Sequence, residues 1–132
     1  MIKEAILSTV WMGYGDDEIM RIRVKENAHI DPENVRLQYK TIHHLAGTTH
    51  LAVMLDVRAN FTTTKEAQTM LAEMSKDRIA TAVITNNPVS RALINTYISV
   101  FKPASPYKLF SEESKALDWL KEMKNKAQSK KG

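Results

Sequence analysis

Six polar side chains between residues 56 and 95 are of the right types and positions to hold a partner or ligand. They are Asp56 and Arg58, Asn86 and Asn87, and Arg91 with Asn95 one helical turn later. One carboxylate, two guanidinium groups and three amides offer charge-assisted and neutral hydrogen bonds, which is the chemistry of recognition more than of bond making. Three consecutive hydroxyls, on Thr62, Thr63 and Thr64, precede an expected helix. A phosphate there would gain from exposed N–H groups and the helix dipole, and its ~1.5–2 negative charges would alter any partner surface. Each set also has a purely structural reading. Thr63 and Glu66 make a Ser/Thr-x-x-Glu capping box, Asn87 caps a helix, Asp56 pairs with Arg58 or Arg91, and Asn95 ties down a loop.

Other chemistries find no support. The chain has no cysteine, so it has neither a disulfide nor a thiolate ligand or nucleophile. His43 and His44 are neighbours, about 100° apart on a helix, and His29 and His50 add no ligand spacing, so no metal is expected. Gly13-Tyr14-Gly15 joins two strands and does not open a helix, unlike a phosphate loop. No Ser-His-Asp arrangement suggests itself; Asp16-Asp17 belongs to a turn and Glu112-Glu113 to a helix start. The expectation is a non-enzyme with no cofactor.

The elements that position these residues are legible in the patterning. Residues 2–12 and 18–24 are β-rich and separated by Gly13, Gly15 and Asp16, which predicts an antiparallel hairpin. Asp31-Pro32 opens a helix carrying Val35, Tyr39, Ile42, Leu45 and Ala46 up to Gly47. LAVMLDV (51–57) and IATAVIT (79–85) are nearly continuous apolar runs, as expected of strands buried on both faces. Between them the box at Thr63 starts a helix with Ala67, Met70, Leu71 and Met74 inward. YKLF (107–110) is the last strand, and Ser111 caps a final helix with Ala116, Leu117, Leu120 and Met123 inward. The order β-β-α-β-α-β-α-β-α implies an α/β fold with a mostly parallel five-stranded sheet and an N-terminal antiparallel hairpin.

The helix over 88–101 carries unusual apolar surface. Val89, Leu93, Ile94, Tyr97, Ile98, Val100 and Phe101 fall on an arc of roughly 180°, wider than the usual ~100° core stripe. Part of that surface is available for something besides the sheet: Ile94, Ile98 and Phe101 are candidates for a protein partner, a second copy of the chain, or the lining of a cavity that carries or senses a small apolar ligand or lipid.

At 132 residues the chain fits one domain, here bounded at 1–122, followed by a basic tail over 123–132. The net charge of +4 does not argue for nucleic acid: residues 121–132 hold five of the 19 basic residues and one of the 15 acidic ones, leaving 14 against 14 in residues 1–120. No apolar run approaches the ~18 residues of a membrane span, and the first residues lack a basic region leading into a clean apolar stretch, which predicts a cytoplasmic protein.

The second half of the chain resembles a group of small bacterial STAS-like, SpoIIAA-like proteins. The likeness rests on Asn86, Pro88, Ser90-Arg91, Asn95, Lys102-Pro103, Pro106, Phe110, and Ala116 through Trp119-Leu120, with Asp56-x-Arg58 earlier, and spans roughly residues 7–121. It implies the fold of the bacterial anti-sigma-factor antagonists: β-α turns wound into a superhelix, on a plan shared with lipid-carrying Sec14-type domains. It further implies a regulatory, protein-binding role. In the antagonists an Asp-Ser pair precedes the second helix and its serine is phosphorylated; here FTTTKEA stands in that place, without the Asp-Ser-x-Gly signature, and Thr62, Thr63 and Thr64 are the substitutes.

Overall fold

In the computed structural model, which describes residues 3–129, the two continuous apolar runs are interior strands of one sheet. The chain runs β1 (Lys3–Ile6), β2 (Val10–Tyr14), β3 (Ile19–Val24), β4 (Ala28–Ile30), α1 (Pro32–Ala46), β5 (Ala52–Asp56), β6 (Phe61–Thr63), α2 (Lys65–Met74), β7 (Ala80–Ile84), α3 (Pro88–Phe101), β8 (Tyr107–Phe110) and α4 (Glu113–Ser129). The sheet order is β1-β2-β3-β5-β7-β8. The first two pairings are antiparallel and the other three parallel. This is the expected α/β architecture, with six strands in place of five. The run 2–12 is not one strand: Leu7 N–H donates to the Val10 carbonyl across a tight turn, and Lys25 donates from its backbone to Thr9 and from Nζ to Leu7, which breaks the run into two hairpin arms.

The strand order never reverses. Successive crossovers stepping the same way place their helices on the same side, and α1, α2 and α3 accordingly share one face. Their side chains Val35, Ile42, Leu45, Ile94 and Tyr97 are buried there, above strand residues such as Val10, Met12, Met20, Val53 and Val83. After β8 the chain turns back, and α4 covers the opposite face over β5, β7 and β8. There Ala116 and Leu120 meet Ala52, Met54, Ala80, Ala82 and Ile84; alanines at four of these positions let the helix sit close to the sheet. α4 continues through residues 123–129, so the first part of the expected tail is helical; residues 130–132 lie outside the described residues.

The caps follow the sequence in α1 and α3. Asp31 and Asn34 form a reciprocal capping box, Gly47 closes α1 at φ 75°, and Asn87 Oδ1 accepts from Ser90 N–H at 2.8 Å. Two caps differ. Thr63 is the last residue of β6, and its hydroxyl donates to the Ile30 carbonyl at 2.9 Å; Thr64 caps α2, accepting from Ala67 N–H at 3.0 Å. The reason is the small parallel pair β4-β6, whose register sets His29 against Thr62 and Ile30 against Thr63 and so holds Thr63 in the strand. In α4 the first helical residue is Glu113, which places Glu112 and not Ser111 at the cap.

Candidate functional site

The C-terminal ends of the parallel strands gather Asp56, Arg58, Asn86 and Asn87, as the patterning predicts, but they are largely occupied with one another. Asp56 closes β5 and is buried. Its Oδ1 accepts from Arg58 N–H and Nε, both at 3.0 Å, and its Oδ2 accepts from an Arg58 terminal nitrogen at 2.6 Å. Arg23, directly opposite on β3, comes within 3.8 Å. Burial pushes the Asp56 carboxyl up, but the hydrogen bonds and charge of Arg58, with Arg23 behind it, outweigh burial and leave its pKa below the ordinary carboxylate value. Arg91 takes no part in this pair. It is exposed on α3, as is Asn95, and neither has a hydrogen bond or ion pair from its side chain among the described residues. Asn86 is exposed and accepts a long hydrogen bond from Asn87, 3.5 Å, while Asn87 is held by its cap.

Open α/β sheets bind ligands where the strand order reverses and leaves a crevice. The uninterrupted order here provides no such point, and among the described residues the rim holds a small hollow of ≈ 40 Å³ between Trp11, Arg21, Arg23, Asp56 and Glu113. That hollow belongs to a row of paired residues that sequence reasoning passed over: Ile6, Trp11, Arg23 and Asp56 lie side by side from β1 to β5. The Arg23 guanidinium stacks on the Trp11 ring at 5.0 Å, and Ile6 is 71% exposed beyond it. The alternation Ile19-x-Arg21-x-Arg23 was the signal, since period 2 puts both arginines on one face of β3.

The broad apolar arc of α3 divides into three parts. Ile94 and Tyr97 are buried, and Ile98 packs against the same core, so Ile94 and Ile98 are not available to a protein partner. Leu93 and Phe101 are half-buried. Val89 and Val100 stand out, 80% and 62% exposed. With Ala92, Leu93 and Thr96 they form one uncharged stripe at spacings of three and four residues.

Between α1, α2, α3 and the sheet lies an apolar cleft of ≈ 80 Å³, lined among others by Leu55, Val57, Leu71, Leu93, Ile94 and Tyr97. Ile94 lines this cleft, whereas Ile98 and Phe101 do not border it. Phe101 instead faces Thr69, Ala72 and Glu73 in a shallow groove. Of the threonines, Thr64 is a cap and Thr63 a strand residue; Thr62 is exposed, with its hydroxyl 2.7 Å from His29 Nδ1. The histidines do not converge, and no group of three or more His, Asp or Glu among the described residues is placed to hold a metal ion. Among the described residues no helix is long and apolar enough to cross a membrane.

The fold is that of SpoIIAA. An uncharacterised protein of the DUF3478 family from Shewanella loihica PV-4, with a SpoIIAA-like fold, superimposes with a TM-score of 0.59 at 16% identity, over 91% of this chain and 92% of that one. The anti-sigma factor antagonist SpoIIAA in its unphosphorylated form superimposes with a TM-score of 0.50 at 13% identity, over 92% of this chain and 98% of its own. Among curated proteins nothing matches. The sequence pattern of the domain of unknown function DUF7793 matches residues 12–124, nearly the whole described chain, and the protein belongs to that family.

Proposed function

We propose that the protein is a non-enzymatic regulatory module that binds a protein partner, or a second copy of itself, through the outer stripe of α3. One observation carries this: of the four large apolar side chains exposed among the described residues, Val89 and Val100 lie on the same uncharged stripe of one helix. Single exposed valines are ordinary, but a contiguous stripe with half-buried Leu93 and Phe101 beside it has no intramolecular purpose. Spacings at 89, 93, 96 and 100, with small Ala92 and Thr96 in the middle, suit the close approach of another helix. Arg91 and Asn95 lie on a neighbouring strip of α3 and would border such a contact as its polar rim. The absence of catalysis is supported by the state of the perturbed acids: Asp56 is bound by Arg58 and Asp17 by Arg21, so neither is free to move a proton. The general likeness to an anti-sigma factor antagonist favours a protein partner over other ligands, and Thr62 is the hydroxyl that a regulatory kinase would reach.

Val100→Asp tests the proposal. The variant should keep the wild-type circular dichroism melt, since the side chain is solvent-facing, and should lose association in sedimentation velocity or in partner capture, because a charge in a desolvated contact is strongly disfavoured. Wild-type association by Val89→Asp and Val100→Asp alike would refute it.

A further inference from the structure

The helix α2 packs on α1 and α3. It fully buries only Ala67, while Met70, Leu71 and Met74 stay half-buried. The consequence shows on β5, an interior strand of the sheet, where Leu55 is half-buried although its neighbours Val53 and Val57 are 0% and 2% exposed. Protein interiors close around such positions to crystal-like density; here the space beneath α2 is left as the ≈ 80 Å³ cleft. Among the described residues no charged side chain lines it. Its polar groups are Gln38, Gln68, Thr63, Tyr97 and Tyr107, and most are already engaged. Gln68 donates to the Thr64 carbonyl, Thr63 donates to Ile30, and the Tyr107 hydroxyl donates to Ser75 Oγ with Tyr97 beside it. Gln38, on the α1 flank, has no side-chain hydrogen bond among the described residues.

We infer that the cleft beneath α2 binds a small neutral molecule: an apolar ring or short branched chain lodged between Leu55, Leu71 and Leu93, with a hydrogen-bonding group turned to the Gln38 amide. Neutrality follows from the lining, where a carboxylate or phosphate would be desolvated with no cation to meet it. Size follows from the volume. An apolar cavity of ~150 Å³ holds benzene, so ≈ 80 Å³ takes part of such a ring at rest and the rest as it extends through the open side; a long acyl chain would lie mostly outside it. The cleft shares Leu93 with the α3 stripe but is not bordered by Val89 or Val100, and Val100→Asp should bind the small molecule as wild type does.

The experiment is a titration of ¹⁵N-labelled protein with indole, and in parallel with indole-3-acetate, which presents the same ring with a charge. Saturable shifts should centre on the amides of Leu55, Ala67, Leu71 and Leu93, with indole-3-acetate at least tenfold weaker. Leu71→Trp, which fills the cleft with its own indole, should abolish the shifts, and Gln38→Leu should weaken indole severalfold without changing the melt. Gln38→Leu keeps the test intact if Leu71→Trp does not fold. Unsaturable or scattered shifts, equal binding of the charged ring, or wild-type binding by Gln38→Leu would each overturn the inference. So would cleft resonances that move with protein concentration alone, which would place a side chain of a second copy in the cleft.

Discussion

Arg58→Ala should destabilise the domain more than Asp56→Asn, although the two residues form one pair. The asymmetry lies in their positions: the Asp56 side chain is 10% exposed and that of Arg58 is 40% exposed. Removing the guanidinium strands a nearly buried carboxylate, with Arg23 at 3.8 Å as the remaining cation. Breaking a buried pair from one side costs about 3–5 kcal/mol, and the surviving Arg23 and backbone N–H contacts lower this to ~2–3 kcal/mol. Asp56→Asn keeps an acceptor for the Arg58 N–H and releases a guanidinium that water already reaches, so its cost is about 1 kcal/mol once solvent screening is allowed for. The double variant strands no charge and should be at least as stable as Arg58→Ala. In the wild type the folded-state pKa of Asp56 is depressed, so its contribution is complete above the unfolded value of about 3.9 and is lost as pH falls through the folded value. In Arg58→Ala, burial acts without the Arg58 side chain, its main counterweight, and protonation relieves the penalty, so the gap to wild type should narrow as pH falls from 7 toward 3. Urea unfolding followed by circular dichroism at both pH values measures each quantity. An Asp56→Asn as costly as Arg58→Ala at pH 7, or a gap unchanged at pH 3, would refute the reasoning.

Thr64→Ala should cost about 1 kcal/mol by loss of the α2 cap, and Thr62→Ala only a few tenths; equal melts for the two would reject the cap assignment. Ile98→Asp should unfold the domain or lower its stability by several kcal/mol, since the side chain packs on the core, and a near-native melt would place it at the surface instead. Lys102 ends α3 in the left-handed region at φ 47°, so Lys102→Gly should raise stability by up to ~1 kcal/mol in chemical denaturation, with no gain expected if that conformation is unstrained.

Elements whose signal is local were legible in the sequence. Asp31, Asn87 and Gly47 act through neighbours three or four residues away, and the runs at 51–57 and 79–85 are nearly all apolar because both faces of those strands are covered. What escaped depends on partners far along the chain. The break between β1 and β2 has neither glycine nor proline to mark it and is enforced from Lys25. The pair β4-β6 consists of three-residue strands that exist only by meeting each other across some thirty residues, and that meeting decides which of three adjacent threonines becomes the cap. At the site, spacing placed the polar residues at the strand ends but could not apportion them. Arg58 and Arg91 were equal claimants to Asp56, and a backbone N–H at residue 58 that closes onto the same carboxylate decided for Arg58. The apolar arc of α3 likewise gave the amount of exposed surface without its side, which depends on how Ile94, Tyr97 and Ile98 seat on the core.

The two outer strands of the sheet, β1 and β8, are four residues long and carry Lys3, Glu4 and Lys108 along their length. Unpaired strand edges are templates on which further chains add and grow into fibres, and short charged edges are poor templates. β8 is further constrained by Pro106 immediately before it, whose missing N–H removes one rung from any added ladder. A protein with a bare apolar stripe on one helix thus lacks a route to open-ended growth through its sheet. Crowding should yield discrete complexes formed helix to helix, and prolonged concentration should produce little thioflavin-positive material.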